Sequence, residues 1–567
     1  RAARRTADTT ARLRMTSPPV APPPLDPATA ARRDARRLLL LLVLVALLLR
    51  LPLMGRSIWF DEACMSDQRI GTWEQLLATL YVDIHPPLYV AFMHFWNGVF
   101  GDSEWSMRTP PLVCGLASIP LCWWAGHRMV GRRAALWATA LLSLSPVHVW
   151  YSVEARLYAP MLACVLLAAG CVDRLLDPAQ PRRAWLWWLH TANVAVMLAL
   201  HYYLAVFVVL FAALAPLLRG FTPAARRLMV THAIGILLLG GFVVGKRALG
   251  EFATGQDYLG TLTFEGLAAF VFEWCWTGNT LPAAETPLDR LVWRGGQALG
   301  VLLLAAGLFG VWRSRRGRPT GVMVPLCLLA LPAFLMAAAV VGLGNTYNER
   351  STIAALPFVF LLAGKGLTSL PAIAGRWLGV AALTLSVASL VALFRFGGDH
   401  WTVYKPNPDW RAAAGWLGAE IDAGGAGRAV FTPTPNPRSL SYYDPRIQDE
   451  KNLTPPTDPA RLGAKVRQRL GEWLGDYAER VFTDFAAHNA ALLDGARLRV
   501  YHTAPDPAAL RLAERSRDDV CYLVRDRWHP NEAVDDSHEA LLRHPRVEVL
   551  ETHTFRGVTV RKVRIRP

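Results

Sequence analysis

The chain has 567 residues, of which 53% are apolar and only 18% are charged, and its formal net charge is +16. The apolar fraction lies above that of ordinary soluble domains, which excludes a simple series of soluble domains. Residues 396–567 carry 25 Lys/Arg against 24 Asp/Glu, so nearly all of the positive charge lies in residues 1–395. Because that part is also the apolar part, the charge argues against a nucleic-acid partner and for a membrane protein.

Residues 1–37 contain nine Arg and a cluster of prolines, which predicts a disordered basic tail. Eleven apolar stretches follow, most of them close to the length of a transmembrane helix. They lie near residues 38–54, 108–128, 134–149, 157–175, 184–200, 202–218, 228–247, 294–312, 321–342, 352–370 and 377–394. Residues 38–395 are therefore predicted to form a polytopic transmembrane domain, with a first external loop at 55–107.

The basic residues predict the orientation of this domain. With the tail inside and the apolar segment 85–101 lying on the membrane surface, the inner segments hold 24 Lys/Arg and five acids. The rest of residues 1–395 holds 11 Lys/Arg and 15 acids. This distribution follows the positive-inside rule. If 85–101 crossed the membrane, every later basic loop would lie outside, so we expect an interfacial helix there.

The eleven crossings leave residues 396–567 on the extracytoplasmic side. Alternating patterns predict a soluble α/β domain. Its expected elements are helices at 411–418 and 460–475, strands at 428–432 and 520–524, and a hairpin of strands 547–552 and 558–565. The domain has neither a Gly-rich phosphate loop nor metal-spaced His/Cys, so it is expected to act as a cap or as an acceptor-recognition module.

The first cluster of candidate site residues is Asp61-Glu62 in the first external loop. Two neighbouring acids there are explained equally by solvation or by capping of the next helix. The functional alternative is a carboxylate that accepts a proton from an attacking hydroxyl. A third reading is a site for a divalent metal, because carboxylates suit hard ions.

The second cluster contains Asp83, His85 and Tyr89 around the pair Pro86-Pro87. Proline is tolerated in the first turn of a helix, so a plain helix entry explains the prolines. It does not explain the acid and the histidine, which would lie at a helix N-terminus where anionic groups are favoured.

The third cluster lies at the outer junction between two predicted spans and contains Tyr151, Glu154, Arg156 and Tyr158. Glu154 and Arg156 could simply pair with one another, or Arg156 could extend to the membrane surface. A dense polar and aromatic group at such a junction is also what a site beside a bilayer needs.

The fourth cluster contains Glu349 and Arg350, again on the outer side. A surface arginine needs no function, but Arg350 also suits a phosphate, which a guanidinium grips with two hydrogen bonds. All four clusters are predicted on one side of the membrane, facing the α/β domain. A substrate with a phosphate headgroup and a lipid tail would fit such a site. A nucleic-acid partner is not expected.

At these residues the sequence resembles the GT-C superfamily of polytopic glycosyltransferases. Within it, the chain is similar to the bacterial branch that includes relatives of protein O-mannosyltransferases and lipid A aminoarabinose transferases. The acidic pair, the motif Pro86-Pro87-Leu88-Tyr89 and the string YSVEARLYA at 151–159 carry the resemblance. It covers roughly residues 38–395 and implies a GT-C-like catalytic core in the bacterial inner (plasma) membrane.

The resemblance also implies a reaction. A sugar would move from a polyprenyl-phosphate-linked donor to an extracytoplasmic acceptor hydroxyl of a protein, lipid or polysaccharide, with inversion at the anomeric carbon. Asp61 corresponds to the catalytic base, Glu62 to its neighbour and Glu154 to a second acid.

The cationic positions of the family match less closely. His85 stands where some relatives carry a lysine that contacts the donor phosphate, and Arg156 and Arg350 are the remaining phosphate candidates. No cofactor is required, although Asp61, Glu62, Asp83 and His85 are candidate ligands for a divalent metal.

Two other classes remain open at the level of the sequence. One is a transporter or flippase of a lipid-linked substrate, which would normally show internal repeats and polar groups near the bilayer midplane. The other is a non-catalytic receptor whose outer domain binds a partner.

Overall fold

The computed structural model describes residues 27–66, 70–179, 184–248, 261–278, 287–341, 349–396, 408–432, 438–449, 453, 458–502, 518–526 and 542–566. Within these ranges the chain forms a helical part up to residue 396 and an α/β part from residue 408 onward. The predicted class, an α-helical polytopic membrane protein with a C-terminal α/β domain, is confirmed.

The helices of the first part follow the predicted apolar stretches. They are α1 (Pro27–Arg50), α2 (Phe60–Ala63), α3 (Trp73–Val82), α4 (Leu88–Phe100), α5 (Glu104–Met129), α6 (Arg132–Leu144), α7 (Pro146–Tyr151), α8 (Tyr158–Leu175), α9 (Ala184–Leu200), α10 (Leu204–Arg219), α11 (Pro223–Ala248), α12 (Phe264–Ala269), α13 (Cys275–Thr277), α14 (Pro287–Ser314), α15 (Met323–Val340), α16 (Leu356–Ser369) and α17 (Ala372–Phe396). Ten of the eleven predicted stretches coincide with one of these helices, whereas the stretch at 134–149 is divided between α6 and α7 at Ser145 and Pro146. Among the described residues, 6 segments are long and apolar enough to cross a membrane, and α9 and α10 are shorter apolar helices. The total of eleven crossings stays a prediction.

Helix α1 begins earlier than the predicted start at residue 38. Residues 27–37, which the sequence assigned to a disordered tail, are helical. Alanine and arginine make up most of this segment and are good helix formers, so the helix continues beyond the apolar run. The remainder of the predicted tail, residues 1–26, lies outside the described residues.

The segment 85–101 forms a short surface helix. Helix α4 has 13 residues, which gives a length of about 20 Å, well below the ~30 Å of a hydrocarbon core. Phe92, Phe95 and Phe100 are exposed along it. Both observations agree with the predicted interfacial helix.

Helix α16 is buried at the centre of the bundle, between α6 and α14. Two glycines permit this packing, because a Cβ atom on Gly364 would lie 2.2 Å from the Ala134 carbonyl oxygen and one on Gly366 would lie 2.1 Å from that of Leu303. A side chain at either position would therefore push the helices apart. Since a short helical turn at Glu349–Ala355 leads directly into α16, this packing fixes the position of Arg350 at one end of the bundle.

The α/β domain contains a six-stranded sheet in its described residues. Its strands are β1 (Ala429–Thr432), β2 (Ile447–Asp449), β3 (Leu498–His502), β4 (Val520–Asp526), β5 (Val547–Phe555) and β6 (Val558–Ile565), in the order β2-β3-β1-β4-β6-β5. The first four are parallel, and β6 pairs antiparallel with β4 and with β5. The predicted C-terminal hairpin is confirmed, with Gly557 in its turn at φ 72°.

The helices of this domain are α18 (Trp410–Glu420), α19 (Arg438–Tyr443), α20 (Pro459–Leu470) and α21 (Glu472–Asp494). The single long helix predicted at 460–475 is therefore wrong. The chain turns at Gly471, whose φ of 100° lies in the left-handed region that favours glycine. Two packed helices form instead of one.

The α/β domain rests on the first external loop at two places. The Tyr443 hydroxyl accepts a hydrogen bond from the Ile58 amide at 2.7 Å and donates one to Glu104 at 2.9 Å. At the second place, α21 packs on α3, where Phe482 and Phe485 bury the face that carries Ala78. The domain thus covers the loop that leads to Asp61 and the helix that leads to Asp83.

Candidate functional site

The first external loop is held by a buried ion pair between Glu62 and Arg108. Arg108 donates to both carboxylate oxygens, with Nε 2.8 Å from Oε1 and a terminal nitrogen 2.6 Å from Oε2. The same guanidinium donates to the carbonyl oxygens of Met54 and Arg56, at 2.8 and 2.6 Å. The Ala155 amide donates to Glu62 Oε1 at 2.9 Å. The pair therefore joins the loop before Asp61 to the junction that carries Glu154.

Asp61 lies in the short helix α2 and forms an ion pair with Arg350. The Asp61 side chain is 19% exposed and that of Arg350 is 11% exposed, so both groups border an opening and are mostly shielded. The Arg350 guanidinium also lies 5.3 Å from the Trp59 ring centre and 5.9 Å from that of Tyr158. The structure thus brings the first, third and fourth predicted clusters together.

Glu154 is the least compensated acid of this group. Its residue is 3% exposed, and its Oε1 atom is buried without a hydrogen-bond partner. Burial raises the pKa of Glu154 to about 7; the Glu62 and Asp61 carboxylates add to the rise, and Arg350 and Arg156 oppose it. Glu154 is therefore a carboxyl group that exchanges a proton near neutral pH.

Arg156 lies between the first two clusters. One terminal nitrogen is 3.4 Å from the Asp61 carbonyl oxygen, and its Nε atom is buried without a hydrogen-bond partner. The charges that raise its pKa against the effect of burial include those of Asp61 and Asp83. A buried guanidinium with an unused donor is suited to an incoming anion.

Asp83 and His85 contact one another where α3 ends and α4 begins. The Asp83 carboxylate is 2.7 Å from the His85 amide and 3.0 Å from the His85 ring Nδ1. Burial acts in the opposite direction, but these contacts lower the pKa of Asp83. The His85 ring lies 5.6 Å from the ring of His201, with which it forms an edge contact. The second cluster thus adjoins Arg156 and the outer end of α10.

The predicted tyrosines surround these charges. The Tyr89 hydroxyl is buried without a hydrogen-bond partner, and the Tyr151 and Tyr158 rings meet edge to face at 5.1 Å. Glu349 opens the short helical turn before α16. Its side chain lies outside the described residues.

Two cations of the site were not predicted from the sequence. Arg108 lies at the outer end of α5, and Lys246 at the end of α11 donates to the Asp83 carbonyl oxygen. Both lie at an end of a predicted apolar stretch, 108–128 or 228–247, and a charge in such a stretch is in itself a signal of function. What the sequence could not supply was their partners, which are 46 and 163 positions away.

The four candidate metal ligands do not form a metal site in the described structure. Asp61 pairs with Arg350, Glu62 with Arg108, and Asp83 with His85. Among the described residues, no group of three or more His, Cys, Asp or Glu is arranged to hold a metal ion. The metal dependence of the protein stays a prediction.

Fold and site together define a multi-pass membrane protein with acids and arginines gathered at one membrane face, under an α/β domain. Residues 84–244 match the family model described as dolichyl-phosphate-mannose-protein mannosyltransferase. This segment includes Glu154 and Arg156 but not Asp61. The match confirms the resemblance to membrane glycosyltransferases of the GT-C superfamily that the motifs indicated.

Solved structures give a broader likeness. The chain is similar to ArnT from Cupriavidus metallidurans in the apo state, with 12% identity, 95% of this chain and 98% of that chain covered, and a TM-score of 0.47. For the same protein bound to undecaprenyl phosphate, the identity is 13%, the match covers 94% of this chain and 98% of that chain, and the TM-score is 0.47. For the Archaeoglobus fulgidus oligosaccharyltransferase AglB, in complex with an inhibitory peptide and a dolichol-phosphate, the identity is 11%. The match covers 88% of this chain and 70% of that chain, and the TM-score is 0.41. At this level the alignments establish no function. No curated protein matches the chain in sequence.

Proposed function

We propose that the protein transfers a sugar from a polyprenyl-phosphate-linked donor to an acceptor hydroxyl, with inversion of the anomeric carbon. The observation that carries this proposal is the convergence of Asp61, Glu154, Arg156 and Arg350 at one membrane face. The family model matched by residues 84–244 bears the name of a lipid-phosphate-sugar transferase, which supports the donor class.

In this mechanism Asp61 is the general base. Its carboxylate removes the proton of the acceptor hydroxyl, whose oxygen forms a new bond to the anomeric carbon. The bond between that carbon and the phosphate oxygen breaks, and its electron pair leaves with the polyprenyl phosphate. Attack from the face opposite the leaving group inverts the configuration.

Arg350 and Arg156 stabilise the leaving phosphate. Before the donor binds, the Arg350 guanidinium is paired with Asp61. A donor phosphate offers Arg350 a second anionic partner, so its binding draws the guanidinium away from Asp61 and makes the carboxylate available to the acceptor. Arg156 has a buried Nε donor without a partner, which the phosphate can use.

The remaining predicted residues take supporting roles in this proposal. Glu62 is a positioning residue, because its two carboxylate oxygens are occupied by Arg108 and the Ala155 amide. Glu154 determines, by its protonation state, the net charge beside Arg350 and Arg156. Asp83 and His85 shape the entry to α4, where the Tyr89 hydroxyl is a free donor for substrate.

The predicted substrate contacts of Tyr151, Tyr158 and Glu349 belong to the same proposal. The proposed transfer requires no metal. The positive-inside distribution supports a site on the extracytoplasmic side of a bacterial inner membrane.

The decisive experiment uses the full chain in proteoliposomes with a panel of polyprenyl-phosphate sugars. Release of polyprenyl phosphate and formation of the glycosylated acceptor are followed by mass spectrometry. We expect transfer by the wild type and a loss of about 10²-fold or more in Asp61→Asn, as for the removal of a general base. The matched control is Asp177→Asn, an acid that pairs with Arg128 where α8 ends.

Undiminished transfer by Asp61→Asn overturns Asp61 as the base. Movement of the donor across the bilayer without any covalent product overturns the transferase and supports the flippase reading.

A further inference from the structure

The turn between α20 and α21 exposes an apolar group, here called the hairpin tip: Leu470, Gly471, Trp473 and Leu474. Leu470 is 55%, Trp473 75% and Leu474 38% exposed. In the described part of the α/β domain, Val549 is the one other large apolar side chain with comparable exposure. Apolar side chains gathered in this way mark an interaction surface, whereas a single exposed valine needs no explanation.

Helices α20 and α21 form a closely packed hairpin that carries this tip. A Cβ atom on Gly475 would lie 1.8 Å from the Arg467 side chain, and one on Gly463 would lie 2.6 Å from that of Glu479. The two helices therefore pack closely through glycines. Arg467 adds ion pairs to Asp476 and Glu479, each at 2.7 Å. At the turn, the Trp473 ring stacks on that of Tyr477 at 5.9 Å, yet Trp473 stays 75% exposed.

The direction of the hairpin follows from its packing on α3. Gln75, near the start of α3, donates to Asp484, whereas Tyr81, near its end, contacts Phe482, and Tyr477 packs in the same cluster. Helices α3 and α21 thus run antiparallel. The start of α21, with Trp473 and Leu474, consequently projects past the end of α3.

The end of α3 lies at the membrane surface. Lys246, in the last turn of α11, donates to the carbonyl oxygens of Leu80 and Asp83. Helix α11 is long and apolar enough to cross a membrane, and Phe242 and Val244, just before Lys246, are exposed as on a lipid-facing surface. The hairpin tip therefore extends on the side where α11 leaves the membrane.

We infer that the hairpin tip inserts into the membrane surface on the side of the α/β domain. Tryptophan and leucine beside an arginine, here the exposed Arg469, form the combination that favours the boundary between headgroups and acyl chains. The ligand is the lipid surface itself, and the contact is independent of the proposed sugar transfer. It ties the α/β domain to the bilayer at a point separate from the loop contacts of Tyr443.

The test places an environment-sensitive fluorophore on the tip. The parent is the full chain with its incompletely buried cysteines, Cys64, Cys114 and Cys164, replaced by alanine. An NBD group is attached at Leu474→Cys, with Trp473→Cys as a second tip variant. The matched control is Ala490→Cys, exposed on the same helix about 24 Å away at 1.5 Å per residue.

In phosphatidylcholine proteoliposomes we expect blue-shifted emission at the tip and quenching by nitroxide-labelled lipid at least about three-fold stronger than at position 490. Solvent-like emission at both tip positions overturns the inference. A blue shift without quenching by the labelled lipid also overturns it, because the tip would then be covered by protein, such as a second copy of the chain.

Discussion

Glu62 and Arg108 form an ion pair in which both side chains are almost completely buried, with exposures of 1% and 0%. They come from the first external loop and from α5, and together they also bind main-chain groups of residues 54, 56, 57 and 155. The loop that carries Asp61 and the junction that carries Glu154 are thus joined through this ion pair, in which the Glu62 carboxylate accepts from the Ala155 amide. The acidic pair of the sequence therefore divides into Asp61, which faces the opening, and Glu62, which holds the structure.

We predict that Arg108→Gln destabilises the protein and abolishes transfer. The change leaves Glu62 charged and buried without its partner, which costs about 3–5 kcal/mol in comparable buried pairs. Thermal unfolding of the purified variant in detergent measures the loss of stability, and the transfer assay measures the displacement of Asp61.

Two further variants sharpen this prediction. In Glu62→Gln/Arg108→Gln no buried charge is left alone, so its stability should exceed that of Arg108→Gln. Asp177→Asn removes a partly exposed pair with Arg128 and should cost about 1 kcal/mol or less. A single variant Arg108→Gln as stable as the wild type would show that the pair does not hold the loops.

Glu154 gives the site a predicted pH dependence in donor binding. Its pKa of about 7 means that the carboxyl is mostly neutral at pH 6 and mostly ionised at pH 8. When ionised it competes with the donor phosphate for Arg350 and Arg156, so KM for the donor should rise several-fold across this interval. Steady-state transfer measured at fixed ionic strength tests this.

Two substitutions test whether Glu154 causes this dependence. Glu154→Gln should remove the rise in KM, whereas His85→Gln should keep it. A donor KM that falls between pH 6 and pH 8 in the wild type would contradict the proposed competition.

The same carboxyl predicts a change of stability with pH. Its pKa is raised from 4.5 to about 7 on folding, so the folded state binds the proton more tightly. Its stabilising contribution is fully present below pH 4.5 and is lost as the pH rises through about 7. The wild type should therefore lose on the order of 3 kcal/mol relative to Glu154→Gln across this window. Parallel unfolding curves of the two proteins from pH 5 to pH 8 would contradict it.

The arrangement of the helices and the convergence of the four clusters could be predicted because each rests on local patterns. Apolar length predicted the helices, and the charge distribution predicted that Asp61, Glu154 and Arg350 lie on one side of the membrane. The structure adds that Asp61 and Arg350, 289 positions apart, are direct partners. Such pairing depends on the packing of α16, which no local pattern contains.

Three features of the fold could not be predicted from the sequence, and each has a physical reason. The apolar periodicity continues across Gly471, so the break between α20 and α21 is visible only through its backbone angle. Strand β2 has three residues, too few to show an alternation. The segment of α12 and α13 was not predicted; within it, Phe270–Trp274 forms a π-helical turn.

The contact of Tyr443 with the external loop provides the last prediction. Its hydroxyl accepts from the Ile58 amide and donates to Glu104, and Ile58 is completely buried. Tyr443→Phe leaves a buried amide without an acceptor, which costs about 1–3 kcal/mol. Because Ile58 lies three positions before Asp61, we expect a lower melting temperature, faster proteolysis within residues 55–70 and reduced transfer.

Tyr442→Phe is the matched control, since the Tyr442 hydroxyl donates to the Asp102 carbonyl oxygen in a more exposed contact. Its removal should change the melting temperature and the proteolysis much less. If both variants behave alike, the α/β domain does not order the loop through Tyr443. A selective effect of Tyr443→Phe would instead show that the α/β domain positions Asp61.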